Sequence, residues 1–334
     1  MSRHSVLIIG CGSIGERHLR CFLQTGRVEA TACDADPALL RRMADTYQVP
    51  VAADWQPAVA GSFDAVVICT PAPLHVPMAT AALLAGRHVL VEKPLSHSLE
   101  GVDELFRTRD RSGRQLAVAY VLHVYTILSE ARAFIRSGEF GPVRQVSVVS
   151  GQPFHVFRPA YAQTYYRDRR TGGGAIQDAL THTVNWVESV LGPAESVLCD
   201  CAHLVLPGVE VEDTVHVSAR HGGAMATYAL NQFQAPNEST WQFHAARGSV
   251  KIELHQQRWG TFREGDRAWN WHDMPPIERD TPFINEANAF LDQLEGQPSR
   301  LCSLEAAAQT LRFNLAALAS AESGTRVRCA DLRA

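Results

Sequence analysis

One short string restricts what this chain can fold into more than any other feature. Gly10-Cys11-Gly12-Ser13-Ile14-Gly15 follows an apolar segment at residues 6–10 and opens an amphipathic stretch reaching about residue 24. In a strand–turn–helix unit, the first glycine permits the tight turn and the second lets backbone approach a pyrophosphate. The third lets the helix pack close to the strand. Free N–H groups at the helix start, on Ser13 and Ile14, then point at the phosphates. A second apolar segment, 28–33, ends at Asp34. A carboxylate there accepts hydrogen bonds from an adenosine ribose and repels a 2′-phosphate. The pattern predicts a dinucleotide site on Gly10, Gly12, Ser13, Ile14, Gly15 and Asp34, with NAD favoured over NADP.

Short apolar runs and helical patterns alternate from there: strands at 65–69, 88–91 and 115–120, with helices at 36 onward, 78–85 and 98–112. Strict alternation predicts a doubly wound parallel sheet. After residue 122 the rhythm changes. A helix near 174–191 is followed by several strand patterns without helices between them, of which Thr214-Val215-His216-Val217-Ser218-Ala219-Arg220 alternates cleanly. Two helices, near 285–295 and 303–321, close the chain. The fold class expected is α/β: an N-terminal Rossmann domain, 1–122, and a C-terminal α+β domain on a largely antiparallel open sheet, 123–334. The closing helices are candidates to pack back on the first domain, and the open sheet is a candidate surface for a homodimer or homotetramer.

Composition excludes several classes. The formal charge of −4 gives no basic footprint for nucleic acid. No apolar run approaches the roughly 18 residues of a membrane span, and the N-terminus lacks a signal-peptide core. The eight cysteines are scattered with no CxxC, so neither a disulfide framework nor a metal site is expected, and a reducing cytoplasm is the expected location.

Further on, the chain reads Thr70-Pro71-Ala72-Pro73-Leu74-His75, then Ala85-Gly86-Arg87-His88-Val89-Leu90-Val91-Glu92-Lys93-Pro94, and later Asp178-Ala179-Leu180-Thr181-His182-Thr183-Val184-Asn185 behind Gly172-Gly173-Gly174. In order and spacing these motifs, with the glycine turn, resemble the Gfo/Idh/MocA oxidoreductases. The resemblance implies an NAD(P)-dependent dehydrogenase acting on CH–OH groups, with Thr70, Pro71, His75, Glu92 and Lys93 on the cofactor side. It also implies a cis Pro94 and a catalytic trio of Lys93, Asp178 and His182. Departures are Leu180 for the family glycine, Asn185 for the last aspartate, and Val121 and His123 where the family carries asparagine and arginine.

Chemically the trio suits alcohol oxidation. Lys93, at the end of a strand, can hold the substrate oxygen and share in proton transfer. Asp178 and His182 are four apart and so share a helix face. His182 is assigned as proton acceptor, and Asp178 as a ligand of a substrate hydroxyl or orienter of the imidazole. The aromatic segment before the glycine cluster offers His155, Arg158, Tyr161 and Tyr166. They suit the faces and hydroxyls of a sugar, nucleotide sugar or cyclitol; equally, such residues pack loops or interfaces. Two other readings stand beside the dehydrogenase: a glycosidase that retains its NAD and oxidises transiently, and a non-catalytic NAD-binding sensor.

Overall fold

The computed structural model describes residues 3–333. In chain order the elements are β1 (His4–Ile9), α1 (Ser13–Gln24), β2 (Val28–Cys33), α2 (Pro37–Tyr47), β3 (Val51–Ala52), α3 (Trp55–Ala60), β4 (Ala65–Ile68), α4 (His75–Leu84), β5 (His88–Glu92), α5 (Val102–Ser112), β6 (Leu116–Ala119) and α6 (Thr126–Arg136). Then come β7 (Val143–Gly151), α7 (Phe154–Phe157), α8 (Thr181–Leu191), β8 (Ser196–Ala202), β9 (Thr214–His221), β10 (Ala224–Asn231), β11 (Glu238–Ala245), β12 (Gly248–Glu253), β13 (Arg258–Arg263) and β14 (Asn270–Asp273). The chain closes with α9 (Thr281–Leu294), β15 (Cys302–Ser303), α10 (Leu304–Ser323) and β16 (Val327–Arg328).

The chain forms two compact units. One comprises the residues up to Val124 together with Glu278–Ala307; the other comprises Tyr125–Ile277 with Ala308–Arg333. The first unit is therefore discontinuous, which a single cut at 122 does not describe. Its added piece is α9, whose apolar face completes the cover over α1. Phe22 meets Phe290 edge-on, and His18 meets Phe283 in the same way. Arg20 forks onto both oxygens of Asp280 at 2.7 Å.

The sheet of the first unit runs β15-β6-β5-β4-β1-β2-β3. All its pairs are parallel except the short β15–β6 pair. Every residue of β4, Ala65 to Ile68, is buried, as expected for a central strand covered on both faces. Asp36 caps α2 through Ala38 N–H at 2.7 Å, with Pro37 at the first helical position. Helix α5 starts later than the sequence pattern implies, at Val102, because Gly101 takes a left-handed φ of +73° just before it. At the carboxyl ends of β1, β2, β4, β5 and β6 lie Gly10, Asp34, Cys69-Thr70, Lys93 and Tyr120. This is the edge where such sheets bind ligands.

The second unit is built on nine strands in the order β14-β13-β12-β11-β7-β10-β9-β8-β16. Among the described residues only its β10–β7 pair is parallel. Alternation in β9 buries Val215, Val217 and Ala219 on one face. On that face Trp186 of α8 packs against Trp241 and Phe243 of β11, ring centres 5.2 and 5.8 Å apart. The opposite face leaves Val149, Leu198 and Met225 exposed.

Candidate active site

The glycine turn is fixed by contacts that tolerate no side chain. Gly10 has φ +89°, and a Cβ on it would lie 2.7 Å from the Cys69 carbonyl oxygen. A Cβ on Gly15 would overlap the Gly10 carbonyl oxygen. Gly12 differs: nothing lies within 4 Å of where its Cβ would be. It stands exposed as the N-cap of α1, with no side chain capping the helix. That opening is a cradle which a methyl group would fill, next to the N–H groups of Ser13 and Ile14. The residues present thus fit a dinucleotide pyrophosphate. Asp34 has a task the sequence did not disclose: its Oδ2 accepts Cys11 N–H at 2.6 Å and its Oδ1 accepts Asp36 N–H at 2.9 Å. It clamps the turn as well as standing at the end of β2. Arg42 Nη2 donates to the Cys11 carbonyl at 3.4 Å.

Lys93 follows β5, half-buried, and its bond to Pro94 is cis, as the resemblance implied. Glu92 is buried. Its Oε1 meets His18 Nε2 at 2.7 Å, and its Oε2 accepts Lys93 N–H at 2.9 Å. Burial pushes its carboxyl up, but His18, the Lys93 charge and the Lys93 N–H together hold it below the usual range. Glu92 therefore acts on the Lys93 backbone. His75, expected among the cofactor contacts, has both ring nitrogens committed to backbone: Nδ1 to the Pro94 carbonyl at 2.8 Å and Nε2 to the Thr70 carbonyl at 2.7 Å. With 1% exposure it is a staple between the Thr70-Pro71 loop and the Lys93-Pro94 loop rather than a group offered to a ligand. Burial holds its pKa below the usual value against those two carbonyls. Sequence reading missed Glu286 of α9. It is fully buried, neither carboxyl oxygen has a hydrogen-bond partner, and burial and then Glu92 push its pKa well up.

In the second unit the glycine cluster is shaped by a residue far along the chain. Glu212 is buried and takes Arg169 Nε at 2.8 Å and Ile176 N–H at 3.1 Å, while its backbone carbonyl takes Ala175 N–H at 2.9 Å. Gly174, φ +90°, leaves room for it; a Cβ there would lie 2.5 Å from its Oε1. The segment that follows, Ile176–Leu180, is a π turn running into α8. Asp178 sits in this widened turn and His182 in the first turn of α8. Such insertions re-aim side chains and recur at functional sites. Asp178 is nearly buried and accepts Tyr165 Oη at 2.7 Å; His182 is half-buried. Asn185, the family departure, points elsewhere and donates to Thr310 Oγ1 at 2.9 Å.

The four side chains expected to face substrate divide in two. His155 and Arg158 are exposed. Tyr161 and Tyr166 are corrections: both are buried in a small cluster with Phe154, Leu206, Val209 and Val211. Tyr161 Oη is spent on the Pro207 carbonyl at 2.6 Å, and Tyr166 packs against Phe154 with ring centres 4.5 Å apart and planes tilted by 40°. Irregular backbone carries no period from which to tell these rings apart in advance.

Further along α8, buried Glu188 accepts Thr310 Oγ1 at 2.6 Å and Ala194 N–H at 3.1 Å, and burial raises its pKa from 4.5 to about 7. The folded chain then binds this proton more tightly than the unfolded chain. The resulting stability is complete below pH 4.5 and is lost as pH rises to about 7, by about 3 kcal/mol. Glu188→Gln is expected to remove that slope, read from urea midpoints at pH 5 and pH 8. An unchanged slope would show the carboxyl ionising normally.

Among the described residues no group of three or more His, Cys, Asp or Glu could hold a metal ion. Among the described residues no helix is long and apolar enough to cross a membrane.

A doubly wound sheet with this glycine turn at the carboxyl end of its first strand is the build of a dinucleotide-binding Rossmann unit. Residues 4–120 match the family model described as oxidoreductase family, NAD-binding Rossmann fold. Residues 128–251 match the one described as GFO/IDH/MocA C-terminal domain. The chain belongs to the Gfo/Idh/MocA oxidoreductase family. Among curated relatives, 1-carboxy-3-chloro-3,4-dihydroxycyclohexa-1,5-diene dehydrogenase of Comamonas testosteroni is 32% identical over 181 residues, 53% of this chain and 45% of that protein. Inositol 2-dehydrogenase of Rhizobium meliloti is 24% identical over 299 residues, 86% of this chain and 88% of that protein. The chain spans 44% to 64% of the length of the first four curated relatives it matches. A solved levoglucosan dehydrogenase, in complex with NADH and levoglucosan, superposes with a TM-score of 0.89 at 19% identity over 98% of this chain and all of that one. At that identity the likeness shows the fold.

Proposed function

We propose that this chain is an NAD(H)-dependent dehydrogenase that moves hydride between nicotinamide and a secondary hydroxyl of a sugar, nucleotide sugar or cyclitol. The observation that carries the reading is the pair Asp178 and His182, set at a π turn in a chain whose other unit bears the open Gly12 cradle and the anchored Lys93. The names of its relatives, an inositol dehydrogenase and a levoglucosan dehydrogenase, support a polyhydroxylated ring as substrate. When bound, the dinucleotide supplies the hydride acceptor or donor. Ser13 and Ile14 N–H groups with Gly12 would hold its pyrophosphate, and Thr70 and Pro71 stand on the same sheet edge. The Asp34 carboxylate disfavours a 2′-phosphate, so NAD is preferred to NADP. The Lys93 ammonium holds the reacting oxygen, His182 takes the hydroxyl proton, and Asp178 binds a neighbouring hydroxyl or orients the imidazole.

The test is a panel of sugars, cyclitols and nucleotide sugars with NAD and with NADP, followed at the NADH absorbance. Turnover of a polyol with NAD is expected, at least tenfold above that with NADP; no binding of either dinucleotide would sink the reading. The exposed sheet face with Val149, Leu198 and Met225 suits an isologous homodimer or a tetramer built from it. Light scattering on the same preparation that found only monomer would remove that part.

A further inference from the structure

Tyr165 occupies a position that the trio leaves without a role. It lies between two rings locked by packing, Tyr161 and Tyr166, yet is itself 44% exposed. Its backbone is held on both sides. The Tyr165 carbonyl accepts Thr171 Oγ1 at 2.7 Å and Asp168 N–H at 3.2 Å, and the next carbonyl, of Tyr166, accepts Gly174 N–H at 3.2 Å. The loop is thus tied to the glycine cluster just ahead of the π turn, and it delivers the Tyr165 hydroxyl to Asp178 Oδ1 at 2.7 Å. A phenol donating to a carboxylate is a short, charge-assisted hydrogen bond, and it fixes the rotation of the carboxylate that receives it.

We propose that Tyr165 is the positioning residue for Asp178 and a specificity determinant of the substrate wall. Its hydroxyl sets the direction of the Asp178 carboxylate toward a substrate hydroxyl. Its exposed ring offers an apolar face to the C–H side of a polyhydroxylated ring, as aromatic faces do for compact ligands with one apolar side. The inference rests on the reading of Asp178 as a substrate-binding group. The ring this loop offers to substrate is then Tyr165, with Tyr161 and Tyr166 packed in their cluster.

The test is a double-mutant cycle on the whole protein, using whichever compound of the panel turns over fastest and steady-state rates over a range of its concentrations. Tyr165→Phe keeps the ring and removes the bond. It is expected to lower kcat/KM about tenfold, with melting temperature and NADH affinity unchanged. In an Asp178→Asn background the same change is expected to cost less than twofold, since the hydroxyl then has no charge to orient. Tyr165→Leu is expected to add a severalfold rise in KM over Tyr165→Phe at equal kcat. A silent Tyr165→Phe, or a tenfold loss that persists in the Asp178→Asn background, would overturn the positioning role; equal KM for Phe and Leu would overturn the ring contact. Should Asp178→Asn alone leave kcat/KM unchanged, the reading of Asp178 fails and this assignment with it, as would a panel with no turnover at all.

Discussion

Lys93→Ala is expected to lower turnover by about 10²–10⁴-fold, the range for removing a positioned group that handles a proton, while the melting temperature stays close to that of the wild type and NADH affinity falls by far less than turnover. The separation follows from how the residue is held. The loop is anchored through backbone: Lys93 N–H donates to Glu92, Glu92 pairs with His18, and His75 bridges the Pro94 and Thr70 carbonyls. None of these bonds uses the lysine side chain, so alanine removes the ammonium and leaves its platform standing. His182→Ala is expected to fall in the same range. The double variant should cost much less than the product of the two, because groups that act on one bond are not additive. Steady-state NADH formation and fluorescence titration of NADH check both halves. Turnover of Lys93→Ala within tenfold of the wild type would remove the lysine from the chemistry.

The sequence disclosed most where backbone has no alternative. Gly10 reads as the turn glycine and Gly15 as the packing glycine, and in the structure Gly10 has φ +89° and a Cβ at either would meet a backbone carbonyl oxygen. The buried run of β4 and the alternation of β9 are likewise direct imprints of two covered faces and of one. What stayed hidden depends on distant or aperiodic partners. Glu212 shapes the glycine cluster from across the chain, and nothing in the residues around it signals that it must bond Ile176 N–H. The π turn carries no composition signature, so Asp178 and His182 read as residues of a plain helix. Tyr165 and Tyr166 are adjacent, and only the fold decides that one faces solvent and the other packs on Phe154. The discontinuous first unit is legible in part: the closing helices read as candidates to pack back on the first domain. That α9 is the one, with His18, Phe22 and Arg20 as partners, comes only from the fold.

The two outer glycines and the middle one should separate folding from cofactor binding. Gly12 already has φ −65°, which any residue adopts, and open space where its Cβ would be. Gly12→Ala is therefore expected to melt at the wild-type temperature or slightly above it, because alanine narrows the unfolded ensemble. The same methyl group would stand where a pyrophosphate must approach. Overpacking of that kind costs about 1–3 kcal/mol, so NADH affinity should fall about tenfold or more. Gly15→Ala is expected to behave in the opposite order. Its methyl group would overlap the Gly10 carbonyl oxygen and press on Cys69 Cβ at 3.2 Å, forcing α1 off the sheet whether or not a ligand is present. Stability should drop by at least about 1–3 kcal/mol, and binding should be lost as a consequence. Thermal melts and NADH titrations on the two variants decide the matter. If Gly12→Ala bound NADH as tightly as the wild type, the phosphates would not lie against this turn, and the exposure of Gly12 would have to be explained by something other than a dinucleotide.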